Sequence, residues 1–297
     1  MSSAQKAATI LPEMENYDIR VLQTLERGMV QYEVVPFKEL IRYSGLNESE
    51  LEHRLGLLHK HDLIYRQRDP YLGYQMNYNG YDLLALNSLV RGGFLEALGP
   101  MIGVGKEADI FQAITPEEKV VALKFHRLGR TSFRDTRRKR DYIADRRHVS
   151  WLFQSRLAAE NEYKALELMY KAGVHVPEPH MQNRHCIVMQ HIEGIQLNEA
   201  IKLDVPRVYL MDILENMRVA YGAGVIHTDL SEYNLLITSS GEIWIIDWPQ
   251  YITRSHANAD EFLERDIGNV VYFFKRKHGV DLSLSEALEI VKKGSTS

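Results

Sequence analysis

The chain has 297 residues, of which 45% are hydrophobic, and a formal net charge of −4 at pH 7. Its single cysteine, Cys186, excludes an intramolecular disulfide, and no apolar run reaches the roughly 18 residues of a membrane span. Since the first residues also lack a secretory hydrophobic segment, we expect a cytoplasmic protein with no membrane partner. The length suits two globular domains.

The N-terminal part of the sequence predicts a winged helix-turn-helix domain. Helical patterns, two strands around a turn and a connecting helix follow in order, at residues 15–28, 36–45, 48–62, 63–80 and 81–93. Asn47 is a suitable N-cap for the third helix. Because Gly92 and Gly93 interrupt the pattern, we predict one domain at 1–92 and a second at 93–297.

A winged helix suggests nucleic-acid binding, but the charge of this domain argues for restraint. Residues 1–90 hold nine Lys/Arg and twelve Asp/Glu, whereas phosphate contacts need clustered cations. A local set exists on the third helix and the wing: Arg54, His59, Lys60, His61, Arg66 and Arg68. Nucleic-acid contact and docking to a protein therefore both remain open.

The start of the second domain predicts the phosphate side of a nucleotide site. Gly103 and Gly105 permit close backbone approach to phosphates, although such glycines are also common in simple hairpins. Lys124 follows in the apolar strand VVALKFH (120–126), where a cation needs a partner. We predict that Lys124 binds phosphate, as the lysine of a V-A-I-K strand does.

A helix at 151–173 should supply the partner of Lys124. Glu160, Glu162 and Glu167 are the candidates, and Glu162 fits best because Ala165, Leu166 and Met169 share its apolar side. The alternative is an ordinary solvated glutamate. Residues 185–194 then predict a strand that runs into a connector, either a core strand or the hinge of a nucleotide site. In the second case three residues would meet the adenine: Met189, Gln190 and Ile192.

The segment HTDLSEYN (227–234) is the most informative part of the sequence. Phosphoryl transfer from ATP needs a carboxylate that receives the hydroxyl proton and side chains that hold magnesium. Asp229 suits the first role, and Asn234 and Asp247 suit the second, because their spacing matches H-x-D-x-x-x-x-N and the downstream metal-binding aspartate. Strands at 235–238 and 243–246 predict a hairpin that brings Asn234 and Asp247 together.

Two features distinguish the chain from ordinary protein kinases. Residues 126–148 form an insert with nine Arg/Lys and three Asp, which we expect to be mobile and to stay out of the core. Only 48 residues follow Pro249, too few for a peptide-docking lobe, and one or two closing helices are predicted within 257–280.

From about residue 95 onward the chain resembles the RIO-type atypical protein kinases, and the winged helix extends this resemblance to the subfamily that carries such a domain. The matching strings are G-x-G-K-E (103–107), LKFHRLGRTSF (123–133), KRDY (139–142), NEYKAL (161–166), HTDLSEYN and IIDWPQ. Thr228 departs from the pattern, in which glycine is expected. The resemblance implies an α+β fold, with the winged helix-turn-helix domain followed by a trimmed bilobal protein-kinase-like domain. The short tail after residue 280 suits an archaeal relative.

The resemblance also implies a function. It indicates an ATP- and Mg²⁺-dependent serine/threonine kinase or ATPase, with Mn²⁺ as a possible substitute, in which Lys106 joins the nucleotide site and Asp247 can itself accept phosphate. The implied partner is the precursor of the small ribosomal subunit, contacted at rRNA and ribosomal proteins through the winged helix and the basic insert. A small-molecule phosphotransferase and a nucleotide-sensing, nucleic-acid-binding regulator are the alternatives.

The basic insert suggests a modification site. Ser132, and as a second choice Thr131, lies between Arg130 and Arg134 in a polar segment long enough to approach an active site. A phosphate there would gain arginine partners. We predict autophosphorylation at Ser132; a local turn that contacts ribosomal RNA electrostatically is the alternative.

Overall fold

A computed structural model describes residues 1–129 and 151–293. The chain divides into two compact units, one of Met1–Leu157 with Gln182–Cys186 and the other of Ala158–Met181 with Ile187–Ser297. The winged helix thus shares its unit with the strands that follow it. The predicted division between residues 92 and 93 stays a prediction.

The first unit begins with a winged helix. Its elements are α1 Ser3–Ile10, α2 Asn16–Gly28, β1 Val35–Pro36, α3 Phe37–Ser44, α4 Glu48–Lys60, β2 Ile64–Gln67, β3 Gly73–Met76 and α5 Tyr78–Arg91. The strands form an antiparallel sheet in the order β1-β3-β2. The predicted cap is present, because the Asn47 side chain accepts a hydrogen bond from the Glu50 N–H at 2.9 Å. Helix α1, which the sequence analysis did not predict, begins with a capping box at Ser2 and Gln5.

Three further strands of the first unit form an antiparallel sheet. They are β4 Ala97–Val104, β5 Ala108–Ile114 and β6 Val120–His126. The inward-facing side chains Phe111, Leu123 and Phe125 are fully buried and form the core of this part. Helix α6 Trp151–Ala172 and the strands β7 Pro179–Asn183 and β8 Cys186–Gln190 each have residues in both units.

A buried ionic cluster links the winged helix to this sheet within the first unit. Arg127 donates two hydrogen bonds to Asp82 of α5, at 2.7 and 2.8 Å, and a third to Asp109 of β5 at 3.2 Å. The His185 Nε2 atom lies 2.7 Å from Asp82 and 2.8 Å from Arg127, so it donates to the first or accepts from the second. The predicted insert is therefore wrong at its start: His126 ends β6, and Arg127 is only 2% exposed because its charge is paired inside the core. Residues 130–150 lie outside the described part.

The second unit contains the remaining elements. They are β9 Gly194–Gln196, α7 Pro206–Gly222, β10 Val225–Ile226, β11 Leu235–Thr238, β12 Ile243–Ile245, β13 Ile252–Thr253, α8 Ala259–His278 and α9 Leu284–Lys292. The sheets have the orders β12-β11-β9 and β10-β13. The predicted hairpin at 235–246 and a closing helix after 257 are confirmed, whereas α7 was not predicted. Across the described ranges no helix is both long and apolar enough to cross a membrane.

Candidate active site

The glycine-rich segment forms the turn between β4 and β5. The Gly105 N–H donates to the Ala108 carbonyl at 2.7 Å and closes this turn. A Cβ added at Gly103 or Gly105 would meet its nearest atoms at 3.5 and 3.4 Å, which is ordinary van der Waals contact. The fold itself therefore does not require glycine at either position, and Gly105 and Lys106 are exposed to an approaching group.

Lys124 lies in β6, opposite Ile110 of β5, and is only 4% exposed. Its predicted partner, Glu162, belongs to the other compact unit. The ion pair between them stays a prediction. Within its own unit, Glu162 is 1% exposed and accepts a hydrogen bond from the Trp248 backbone N–H at 3.4 Å. Of the three candidate glutamates only Glu162 is buried.

The predicted hinge follows β8. Met189 is buried, and the Gln190 N–H donates to the Glu178 carbonyl at 2.8 Å. The Ile192 carbonyl accepts from the Gly194 N–H at 3.1 Å. Within the described ranges the Ile192 N–H has no protein acceptor, so it is the hinge donor that a ligand could use.

The catalytic-loop motif directly follows strand β10. The His227 Nδ1 atom accepts from the Asp229 N–H at 3.3 Å, so the proton of a neutral imidazole lies on Nε2, which is 3.0 Å from the Ile246 carbonyl. His227 thereby connects the loop to the residue before Asp247. The Asp229 side chain projects from a residue that is exposed, as a proton acceptor must be.

Asn234 and Asp247 are brought together by the hairpin, as predicted. The Ile246 N–H donates to the Asn234 carbonyl at 3.0 Å. The Asn234 Nδ2 atom donates to the Asp229 carbonyl at 2.8 Å, which leaves the amide oxygen as its acceptor group. Asp247 has a left-handed backbone with φ of +70°. Three predicted site residues thus share one hydrogen-bonded segment of the second unit.

Asp266 of α8 holds the catalytic loop and was missed by the sequence analysis. Its carboxylate accepts from the Thr228 N–H at 2.7 Å and from the Leu230 N–H at 3.1 Å. Burial raises the pKa of Asp266, while these two donors and the nearby His227 oppose that rise. A signal was present in the sequence, since Asp266 interrupts the apolar stripe that includes Leu263 and Val270.

Three other contacts support the loop and the segment after it. Arg265 donates to the Thr228 carbonyl, and the Asn269 Nδ2 atom donates to the Leu230 carbonyl at 3.0 Å. Trp248, 1% exposed, has its ring centroid 4.5 Å from that of His227. The predicted autophosphorylation site, Ser132, lies outside the described residues.

A winged helix followed by a loop of the form H-x-D-x-x-x-x-N and a metal-type aspartate defines a protein-kinase-like class of protein. Comparison with known families narrows this class. The RIO domain matches residues 109–287, and the Rio2 N-terminal domain matches residues 11–91. The chain belongs to the RIO family, in the branch with the Rio2 N-terminal domain, and the α+β fold class expected from the sequence is confirmed.

Individual relatives agree with this assignment. The RIO-type serine/threonine-protein kinase Rio2 of Methanocaldococcus jannaschii is 39% identical over 253 residues, which cover 84% of this chain and 92% of the relative. The serine/threonine-protein kinase rio2 of Dictyostelium discoideum is 37% identical over 88% of this chain, which spans only 50% of that longer protein. A crystal structure of the Rio2 kinase–ADP/Mg²⁺–phosphoaspartate complex of Chaetomium thermophilum superposes with a TM-score of 0.83 at 31% identity, covering 97% of this chain and 90% of the other.

Proposed function

We propose that the protein is an ATP- and Mg²⁺-dependent serine/threonine kinase or ATPase that acts in the cytoplasm on the precursor of the small ribosomal subunit. The observation that carries the catalytic part is the hydrogen-bonded arrangement of Asp229, Asn234 and the residue before Asp247. The relatives named as serine/threonine kinases support the same activity.

The donor groups of the second unit fit magnesium. Mg²⁺ prefers oxygen ligands and is usually bound by one or two side chains together with substrate phosphates. The Asn234 amide oxygen and the Asp247 carboxylate are such ligands, and the Rio2 kinase of Chaetomium thermophilum carries Mg²⁺ with ADP. When bound, the ion would neutralise phosphate charge; Mn²⁺ has the same ligand preference.

The protein groups have separable tasks in the proposed reaction. Lys124, with Glu162 as its partner, would hold the phosphates, while Gly103, Gly105 and Lys106 would lie over them. Met189, Gln190 and Ile192 would contact the adenine. Asp229 would receive the proton of an attacking serine or threonine hydroxyl, or of water, as the bond to the γ-phosphorus forms and ADP leaves.

Asp229→Asn tests this assignment. The variant should bind ATP as the wild type does but transfer about 10²–10⁴ times more slowly, because proton transfer is removed while nucleotide contacts remain. Radiolabelled ATP, with and without purified small ribosomal subunits, measures the rate. Asp281→Asn is a suitable control, since that aspartate is an exposed residue of the same unit. Transfer at the wild-type rate by Asp229→Asn would contradict the role of Asp229.

A second route passes through Asp247. Its carboxylate would attack the γ-phosphorus, the bond to the bridging oxygen would break, and ADP would leave behind an acyl phosphate that water then hydrolyses. The phosphoaspartate in the Chaetomium thermophilum relative supports this route. Label that hydroxylamine removes from the wild type, and that Asp247→Asn never acquires, is the expected result; hydroxylamine-resistant label alone would exclude the route.

For the partner we propose contact between the wing and RNA. Arg54, one of the expected cations, is not available, because it pairs with Glu15, Asp18 and Glu50 at 2.9, 3.4 and 2.6 Å. Arg66 and Arg68 on the wing are exposed. Their joint replacement by alanine should lower the salt dependence of ribosomal RNA binding by about 1.4 log units per log unit of salt. Arg42→Ala, which removes an exposed arginine of the same domain, provides the control.

Autophosphorylation at Ser132 belongs to the same proposal. Incubation with ATP and magnesium followed by mass spectrometry should find phosphate on Ser132. Phosphate confined to Thr131, or absent from residues 126–148, would contradict it.

A further inference from the structure

Thr228 has an unusual backbone conformation for its residue type. Its φ is +71°, in the left-handed region that favours glycine. Among the described residues, five that are not glycine have positive φ, namely Asp62, Glu118, Arg184, Thr228 and Asp247, and only Thr228 is β-branched. A β-branched side chain is strained in this conformation, so its contacts must hold it there.

The backbone of Thr228 is held from helix α8. Its N–H donates to Asp266 at 2.7 Å, and its carbonyl accepts from Arg265. These contacts involve only peptide groups, so they would form with any residue at position 228. They explain the left-handed conformation, but they do not explain why a threonine side chain occupies it.

The side chain makes a contact that glycine could not. Thr228 is 6% exposed, and its Oγ1 atom donates to the Gln250 carbonyl at 2.9 Å. Strands β10 and β13 pair Val225 with Thr253 and Ile226 with Ile252, so continuation of this register would place residue 228 opposite residue 250. The hydroxyl therefore extends the ladder beyond the point where the Thr228 N–H turns away to Asp266.

This contact fixes the segment that carries Asp247. Only Trp248 and Pro249 separate Asp247 from Gln250, and Trp248 is itself held by Glu162 at its backbone N–H and by the Ile245 carbonyl at its indole N–H. The Thr228 hydroxyl supplies the next attachment after Trp248, from the residue that directly precedes Asp229. We propose that Thr228 is a positioning residue that sets Asp247 relative to Asp229; this inference rests on the proposed phosphoryl transfer.

Three substitutions separate the hydroxyl from the strain. Thr228→Ser keeps the hydroxyl, Thr228→Val keeps the branched shape without it, and Thr228→Gly removes the hydroxyl and the strain together. We expect kcat to fall about five- to tenfold in Thr228→Val and Thr228→Gly and to stay within about twofold in Thr228→Ser, the range that one hydrogen bond accounts for. The Mg²⁺ concentration for half-maximal rate should rise in the same two variants.

Thermal stability distinguishes positioning from a merely structural role. The Tm of Thr228→Gly should equal or exceed that of the wild type, because relief of strain offsets the lost hydrogen bond. A kcat that falls only in proportion to a loss of Tm, a wild-type kcat in Thr228→Val, or a serine variant as slow as the valine variant would each overturn the proposal.

Hydrogen exchange tests the contact independently of catalysis. Amides of residues 248–252 should exchange about five times faster in Thr228→Val than in Thr228→Ser, because loss of the hydroxyl releases this segment. If the wild type transferred no phosphate, the proposed function would fail while this exchange difference would still decide whether Thr228 holds the segment. Equal exchange in the two variants would overturn the proposal.

Discussion

Asp82 in the first unit and Asp266 in the second are both fully buried, yet they are satisfied in opposite ways. Asp82 faces the guanidinium of Arg127, which is itself 2% exposed. Asp266 accepts hydrogen bonds from two backbone N–H groups of the catalytic loop. The pKa of Asp82 is lowered, because the Arg127 charge and the hydrogen bond to His185 outweigh the opposing effect of burial, whereas burial raises the pKa of Asp266.

The difference indicates what each aspartate does. A paired charge links two rigid elements, here helix α5 and the end of strand β6, and its removal leaves an uncompensated charge. A carboxylate that binds peptide groups instead determines the course of an irregular loop. The first arrangement should therefore affect mainly stability and the second mainly the reaction, and each of the following predictions can break that division.

Arg127→Ala should have the largest effect. It leaves Asp82 buried without its countercharge, which costs about 3–5 kcal/mol of the free energy of unfolding. Arg184→Ala is the matched control in the same unit, because Arg184 also pairs with a carboxylate, Glu26 at 2.8 Å, but at a more exposed position, where about 1 kcal/mol is expected. Urea unfolding with exchange protection of helix α5 measures both. Equal losses would show that burial of the pair is not what matters.

His185 should give the first unit a characteristic dependence on pH. Burial lowers the pKa of His185 from 6.5 to about 4. Between these values the unfolded chain binds a proton that the folded chain does not, so stability falls as the pH falls from 6.5 towards 4, by at most about 3 kcal/mol. Asp82, with its lowered pKa, adds a loss of the same sign at still lower pH. A His185→Gln variant should show a flatter unfolding profile between pH 6.5 and 4, and an unchanged profile would contradict this cause.

The sequence allowed the prediction of the parts whose signal is local. The cap at Asn47, the hairpin at 235–246 and the spacing from His227 to Asp247 depend on neighbouring residues, and the structure has the cap and the hairpin where they were expected. Thr228 was noted as a departure from glycine, but its left-handed backbone could not be read from residue type. The roles of the site residues stay predictions.

What the sequence could not predict depends on contacts between distant residues. Arg127 looked like part of a mobile basic insert, because nothing near it in sequence reveals Asp82, 45 residues earlier, or His185, 58 residues later. Arg54 looked like a surface cation for the same reason, although Glu15 and Asp18 bind it. Opposite charges in such clusters can be recognised only once the fold brings them together.

Asp266→Asn should affect the reaction more than stability. The amide can accept from only one of the two N–H donors and presents its own NH₂ to the other, so we expect about 1–3 kcal/mol of lost stability and a kcat about ten- to a hundredfold lower. Because the folded pKa is raised, the wild type loses stability as the pH rises from 3.8 through that value, and the variant lacks this decline. Asp260→Asn, an exposed position on the same helix, is the control. Wild-type kcat in Asp266→Asn would break the comparison.

Asn269→Ala should have the smallest effect and sharpens the comparison most. Its Nδ2 atom donates to the Leu230 carbonyl, on the same loop that Asp266 holds, but no charge is involved and the residue is exposed. One neutral hydrogen bond contributes about 0.5–1.5 kcal/mol, so kcat should fall about two- to fivefold with Tm nearly unchanged. If Asp266 and Asn269 hold the loop together, the double variant Asp266→Asn/Asn269→Ala should be less impaired than the product of the two single effects predicts, since a loop already displaced has little left to lose. Strictly multiplicative effects on kcat would mean that the two side chains act on the reaction independently, and that the loop does not move as one body.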